Sequence, residues 1–360
     1  MKNDKGCGNN SFVGGFIGYA PSSTSLRHWI NCENKGVVYG GGNVPGSCRV
    51  GGFVGGTYAK LQFTSCTNSG AVTSCTTIKD DSDGKSLVAG FIGDNENANG
   101  KVTFVAANEA AGIKPCKNTG TITLTGTLNQ YGRVAGIANL DKTDGTLTAT
   151  DVINEGQIIA KDLSGKGYFQ IGGIVACHIA NSKLTNAKNK GNILIEKVTA
   201  KYALVGGITG HTSSTGIIAG ATVNIGNITV KNCTFSTPAE MRIGGLTGQG
   251  AIAIDGAECH CEIEAVGLNG YVGMFSGAAY DSASAKATNC KFGGKIALTA
   301  DADGKSEWKT ISEEVVGNVR DDGEFVPDPA YVPFWSVIYG SNNPDAAPNG
   351  CGYLKTKPTF

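Results

Sequence analysis

Residues 189–210 contain two short signatures that decide the fold: Asn189-Lys190-Gly191, followed by a strand-like run, and Val205-Gly206-Gly207-Ile208-Thr209-Gly210. Both recur along the chain. The second returns at Val13-Gly14-Gly15-Phe16, Val50-Gly51-Gly52-Phe53, Val88-Ala89-Gly90-Phe91, Val134-Ala135-Gly136-Ile137, Ile171-Gly172-Gly173-Ile174 and Ile243-Gly244-Gly245-Leu246. A worn copy stands at Tyr271-Val272-Gly273-Met274 and another at Val315-Val316-Gly317-Asn318. The first signature, Asn-x-Gly, begins at Asn34, Asn68, Asn118, Asn154, Asn189 and Asn224. A repeat of about 36 residues, the scale of solenoid and propeller units, therefore fills most of the chain.

Within each unit the strands read by alternation, as in Thr121-Ile122-Thr123-Leu124-Thr125. Asn-x-Gly is expected to supply a left-handed or turn conformation between them. A Gly pair recurring in register inside a strand marks close backbone approach, which stacked units require. No long window has helical periodicity. The expected fold is all-β: a parallel β-solenoid of about eight to nine repeats. The rival, a β-propeller, lacks its WD and kelch signatures here, and nine blades exceed the usual number.

Composition agrees. The chain of 360 residues has 54 Gly but only 10 Pro, and its Lys and Arg balance its Asp and Glu at 30 each. Zero net charge removes the electrostatic footprint of a nucleic-acid binder, and no apolar run is long enough to span a membrane. The first residues lack the apolar stretch of a signal peptide, so the chain is either cytoplasmic or begins after a removed leader. The core is expected to be rich in Val, Ile and Ala and poor in aromatics.

Twelve cysteines are present. Cys32, Cys66 and Cys116 each precede the signature Asn by two residues, where later units carry Val152, Ala187 and Thr222. One inward position for a small side chain explains this, with buried free thiols expected and disulfides between coils as the alternative. Cys259-His260-Cys261 lacks the second half of a zinc module.

With these signatures in view, the chain resembles the glycine-rich GLUG-type repeat proteins of bacterial surfaces, as in gut Bacteroidetes. The residues that carry the likeness are Cys66-Thr67-Asn68-Ser69-Gly70, Cys116-Lys117-Asn118-Thr119-Gly120 and Val205-Gly206-Gly207-Ile208-Thr209-Gly210. The resemblance implies an extracellular or cell-surface β-solenoid, often adhesive. It carries over no catalytic residue.

Several features are candidates for chemistry. Aligning the units on the Gly-Gly signature produces a row of Tyr19, Gly56, Asp94, Asn139, Cys177, His211, Gln249 and Ala278, in which Cys177 and His211 become neighbours. A Cys-His dyad or soft-metal site is the functional reading, and a polar turn position is the plain one. The loops Asp81-Ser82-Asp83-Gly84 and Asp301-Ala302-Asp303-Gly304 read as hairpin-like turns, because neither has the ligand spacing of a calcium loop. The acids Glu258, Glu262, Glu264, Glu313, Glu314, Asp321, Asp322 and Glu324 never recur in register. Thr-x-Thr runs at 121–125 and 146–150 fit strand propensity better than an ice-binding array.

The last segment departs from the repeat. Pro-rich and aromatic, it is expected to leave the ladder and cap the solenoid, giving a repeat domain over 1–320 and a cap over 321–360. Trp308, Tyr331, Trp335 and Tyr339 are the candidate ligand-binding platform. The expected function is binding without catalysis: a surface adhesin or glycan-recognition module whose partner is a glycan or a host or cell-surface protein. No cofactor, metal, nucleic acid or membrane insertion is expected. A polysaccharide lyase or hydrolase, and a purely structural spacer or fibre module, are the alternatives.

Overall fold

A computed structural model describes residues 2–3, 10–44, 46–78, 84–96, 101–140, 146–178, 182–212, 216–236, 241–250, 253–268, 270–278, 286–310, 352–353 and 356–360. One coil shows how the chain runs. Lys188–Asn189 and Ile193–Ala200 lie in sheet I, Ala203–Gly206 in sheet II, Thr209–Thr212 in sheet III and Ile217–Ala219 in sheet IV. The next coil repeats the path one strand further along. Sheets II, III and IV each stack eight strands, and every pairing in them is parallel. The protein is a parallel β-solenoid.

Both sequence signatures stack in register. The six Asn pair in order from Asn34 to Asn224. Val13, Val50, Val88, Val134, Ile171, Val205, Ile243 and Val272 form the corresponding column in sheet II. The wider spacing between Asn68 and Asn118 is absorbed in loops, one of which holds the short 3-10 turn Glu109–Ala111. The copy at Val315 lies outside the described residues.

The two signatures depend on each other. Each ladder Asn is turned into the core, where its Nδ2 donates to the carbonyl of the Gly two residues on and, in all but Asn224, to Oδ1 of the next Asn at 2.7–2.8 Å. Opposite them lies the second Gly of each corner. A Cβ on Gly52, Gly90, Gly136 or Gly173 would collide with both the next corner's carbonyl and a ladder Asn. A buried amide is tolerated only when its hydrogen bonds are made, and this column makes them.

The Gly of Asn-x-Gly has a different role from the one expected. Gly70, Gly120, Gly156, Gly191 and Gly226 are not left-handed; each is needed because a Cβ would strike the carbonyl of the Gly one coil before. The left-handed corner sits three or four residues ahead of the Asn column, at Asn31, Ser65, Asp151, Asn186, Gly220, Gly256 and Asn289. Asn, Asp and Gly are the residues that accept that conformation at least cost.

Aliphatic side chains fill the interior, including a sheet I column of Val38, Val72, Ile122, Ile158, Ile193, Ile228, Ile263 and Ile296. Aromatics also enter the core, contrary to expectation: they form stacked columns in the first coils, and Phe169, Phe275 and Phe292 are buried further along. Phe16, Phe53 and Phe91 stack at 4.8 and 4.7 Å, and Trp29, Phe63 and Phe104 at 5.0 Å. Cys66, Cys116, Val152, Ala187 and Cys290 occupy the predicted small inward position and are fully buried. Cys32 there is half-buried, and all three cysteines of the column are free thiols along with Cys290.

The parallel order ends in a hairpin. Lys291–Ala300 pairs antiparallel with Ser306–Thr310, and the turn is closed by Asp301, whose Oδ1 accepts from the backbone N–H of Asp303 and Lys305. The hairpin turn read at 301–304 is therefore present. The C-terminal segment does return to the ladder at one point, where Gly352–Tyr353 pairs parallel with Lys291–Phe292. Pro excludes a residue from donating, not its neighbours, and 352–353 contains none.

Candidate functional site

Sheets II and III meet at the Gly-Gly corner, and the residues on their outer faces pack against each other in a largely buried seam. Sheet II contributes Phe12, Arg49, Leu87, Arg133, Gln170, Leu204, Arg242 and Tyr271 in register. Sheet III contributes the row read from the sequence: Tyr19 pairs Gly56 and Gly56 pairs Asp94, while Cys177 pairs His211, His211 pairs Gln249 and Gln249 pairs Ala278. A Cβ on Gly56 would run into the Phe12 ring and approach Arg49, which fixes the two rows as facing.

The structure brings Cys177 and His211 together, with Sγ 3.6 Å from Nδ1. Burial holds the imidazole pKa down to about 4, helped by the positive charges of Arg133 and Arg242. At neutral pH the ring is thus uncharged. A neutral ring is not the imidazolium partner of an activated cysteine nucleophile.

At the N-terminal end of the same seam stands a cluster whose members are scattered in the sequence. Arg49 Nε donates to Asp94 Oδ2 at 2.9 Å and ion-pairs with Glu96; its Nη1 donates to Asn10 Oδ1. Its guanidinium also lies 4.9 Å from the Phe12 ring. Tyr58 donates its hydroxyl to Glu96 Oε2 at 2.7 Å, which pushes the phenol up to about 12. Tyr19, 39% exposed, packs on Phe12 at 4.7 Å and edge-on to Tyr58 at 5.8 Å. Partial burial, then the charge of Glu96, raises its pKa. The available signal was an Arg directly before three copies of the corner, at Arg49-Val50, Arg133-Val134 and Arg242-Ile243.

Of the expected platform, Trp308 is half-buried on the terminal hairpin with Lys295 Nζ 4.2 Å from its ring. Tyr331, Trp335 and Tyr339 lie outside the described residues, as do Glu313, Glu314, Asp321, Asp322, Glu324 and the Asp81–Asp83 part of the first acidic loop. Glu258 and Glu262 pair with Lys291 and Lys295 of the next strand at 3.3 and 3.2 Å, and Ser306 bonds Glu264. The two Thr-x-Thr runs fall on different sheets, Ile122–Leu128 in sheet I and Thr146–Thr150 in sheet IV, and form no common face.

No family model, curated protein or solved structure matches the chain.

Proposed function

We propose that the chain is a non-catalytic binding module, a surface adhesin or glycan-recognition solenoid, as its likeness to GLUG-type repeats implies. The observation that carries this reading is the cluster at the N-terminal end of the seam, where Tyr19 reaches the surface. An exposed aromatic edge, Tyr19 with Tyr58, stands directly beside a guanidinium and a carboxylate that are already locked in place. Sugar rings present an apolar face, and an exposed aromatic ring held rigid from behind by the buried Arg49–Glu96 pair meets it. Repetition of one unit along the stack adds weak contacts whose sum gives avidity.

A glycan and host-protein binding screen with the full chain tests the proposal. The expected result is a glycan hit that Tyr19→Ala weakens without altering the circular dichroism spectrum. A blank screen, or a hit indifferent to Tyr19, would overturn this assignment. A second reading, a polysaccharide hydrolase, is favoured by one feature: Asp94 and Glu96 converge on the single guanidinium of Arg49. Both carboxylates are buried in that ion pair, so the binding reading is preferred.

A further inference from the structure

The Asn ladder stops after Asn224, and it stops in sulfur. In register with Asn224 comes Cys259. Two residues on, where six coils have the Gly of Asn-x-Gly, stands Cys261. At the corner of the next strand, where Gly244 pairs Gly273, the second Gly is replaced by Met274. Three positions that the other coils devote to one polar contact layer have thus changed together, all to sulfur-bearing residues.

The backbone changes with them. Cys261 could not follow an Asn-x-Gly turn, since a Cβ there would meet the preceding coil, and the chain instead runs as the unbroken strand Glu258–Glu264. Alternation in that strand turns Cys259 and Cys261 to the same inward face and leaves His260 on the other. The sulfurs meet: Cys259 Sγ lies 3.6 Å from Cys261 Sγ, and Cys261 Sγ lies 3.9 Å from Met274 Sδ. Cys259, Cys261 and Met274 are all buried. Asn224 Nδ2, which donates to the carbonyls of Gly226 and Gly245, stands 4.0 Å from Cys259 Sγ.

We propose that Cys259, Cys261 and Met274 form a binding site for one monovalent copper ion. Two thiols and a thioether are a soft donor set, which excludes calcium and magnesium, and three sulfurs including a thioether fall short of zinc's tetrahedral four and suit Cu(I). With metal–sulfur bonds of about 2.3 Å, three sulfurs around one ion stand about 4 Å apart, close to the spacing already present. Binding releases two thiol protons to solvent and leaves a site of net charge −1; no electron is transferred, because the ion enters as Cu(I). The terminal hairpin and the strand 352–353 close this end of the stack, so copper would staple the last coils where the amide ladder has run out.

The test is anaerobic titration of the reduced full chain with Cu(I) against a chromophoric Cu(I) chelator, followed by alkylation of unprotected thiols and peptide mapping. The expected result is one tightly held copper per chain, with Cys259 and Cys261 protected and sulfur-only ligation in the X-ray absorption edge. Met274→Leu, which preserves volume, should weaken binding by at least about tenfold, since even outer partners of metal ligands cost 10- to 100-fold. Replacing Cys32, Cys66 and Cys116 with Ala should leave the affinity unchanged. Protection of the Cys32 column instead, no effect of Met274→Leu, or Zn(II) held in preference to Cu(I) would each overturn the proposal.

Discussion

Asn118 shows how much one residue does here. It is fully buried, donates to Gly120 and Asn154, and accepts from Asn68. Asn118→Ala removes one side chain and takes a hydrogen bond from each of three residues, so a loss of about 2 kcal/mol is expected in urea unfolding. Gly90→Ala should be worse, by about 4 kcal/mol or loss of soluble protein, because its Cβ would strike the backbone carbonyl of Gly136 as well as Asn118. His211 gives a pH-dependent prediction. Its folded pKa of about 4 lies below its ordinary value of 6.5, so the unfolded chain binds the proton first. The stability that its neutral form contributes is complete above pH 6.5 and falls away as the pH drops from 6.5 to 4. His211→Gln should flatten that part of the stability–pH curve measured by urea unfolding.

At the scale of the element, the recurring corner was only half legible. The spacing of Asn-x-Gly and Val-Gly-Gly fixed coil length, strand placement and register, because each motif is an invariant contact between coils. The left-handed corner was placed on the wrong residue. Asn31, Asp151, Asn186 and Asn289 share no motif with Ser65, Gly220 and Gly256, and only backbone geometry unites them. The consequence is testable at Asn186, whose side chain also bonds Asp151 and the backbone N–H of Ala221. Asn186→Val is expected to cost about 1–2 kcal/mol for left-handed strain beyond the loss of those bonds, and Asn186→Gly to cost less than Asn186→Val. The aromatic columns were missed for a related reason: Phe53, Phe63, Phe91 and Phe104 form stacks only once the loops between them are discounted.

At the scale of the whole molecule, the solenoid is a one-dimensional stack in which each coil touches only its neighbours. Amide exchange should therefore be slowest in the middle coils, around Ile158, Ile193 and Val205, and faster toward Asn10–Gly14 at one end and Ser306–Thr310 at the other. Uniform protection along the stack would contradict that picture. The candidate binding cluster was not visible beforehand because Tyr19, then Arg49 with Tyr58, then Asp94 with Glu96 come from three successive coils. Only the facing of sheets II and III brings them together. The sulfur layer was visible as Cys259-His260-Cys261, but its third member, Met274, joins through the stack and not through the sequence.

The central claim is that a continuous column of buried asparagine amides joins the coils. Hydrogen exchange of the Asn side-chain amides, followed by NMR and assigned through single substitutions, tests it most directly. The account predicts that the Nδ2 protons of Asn68, Asn118, Asn154 and Asn189, each bonded to a Gly carbonyl and to the next Asn, exchange as slowly as the core backbone amides. Exchange of these four at the rate of exposed side-chain amides would show that the column does not exist and that the coils are held by other means.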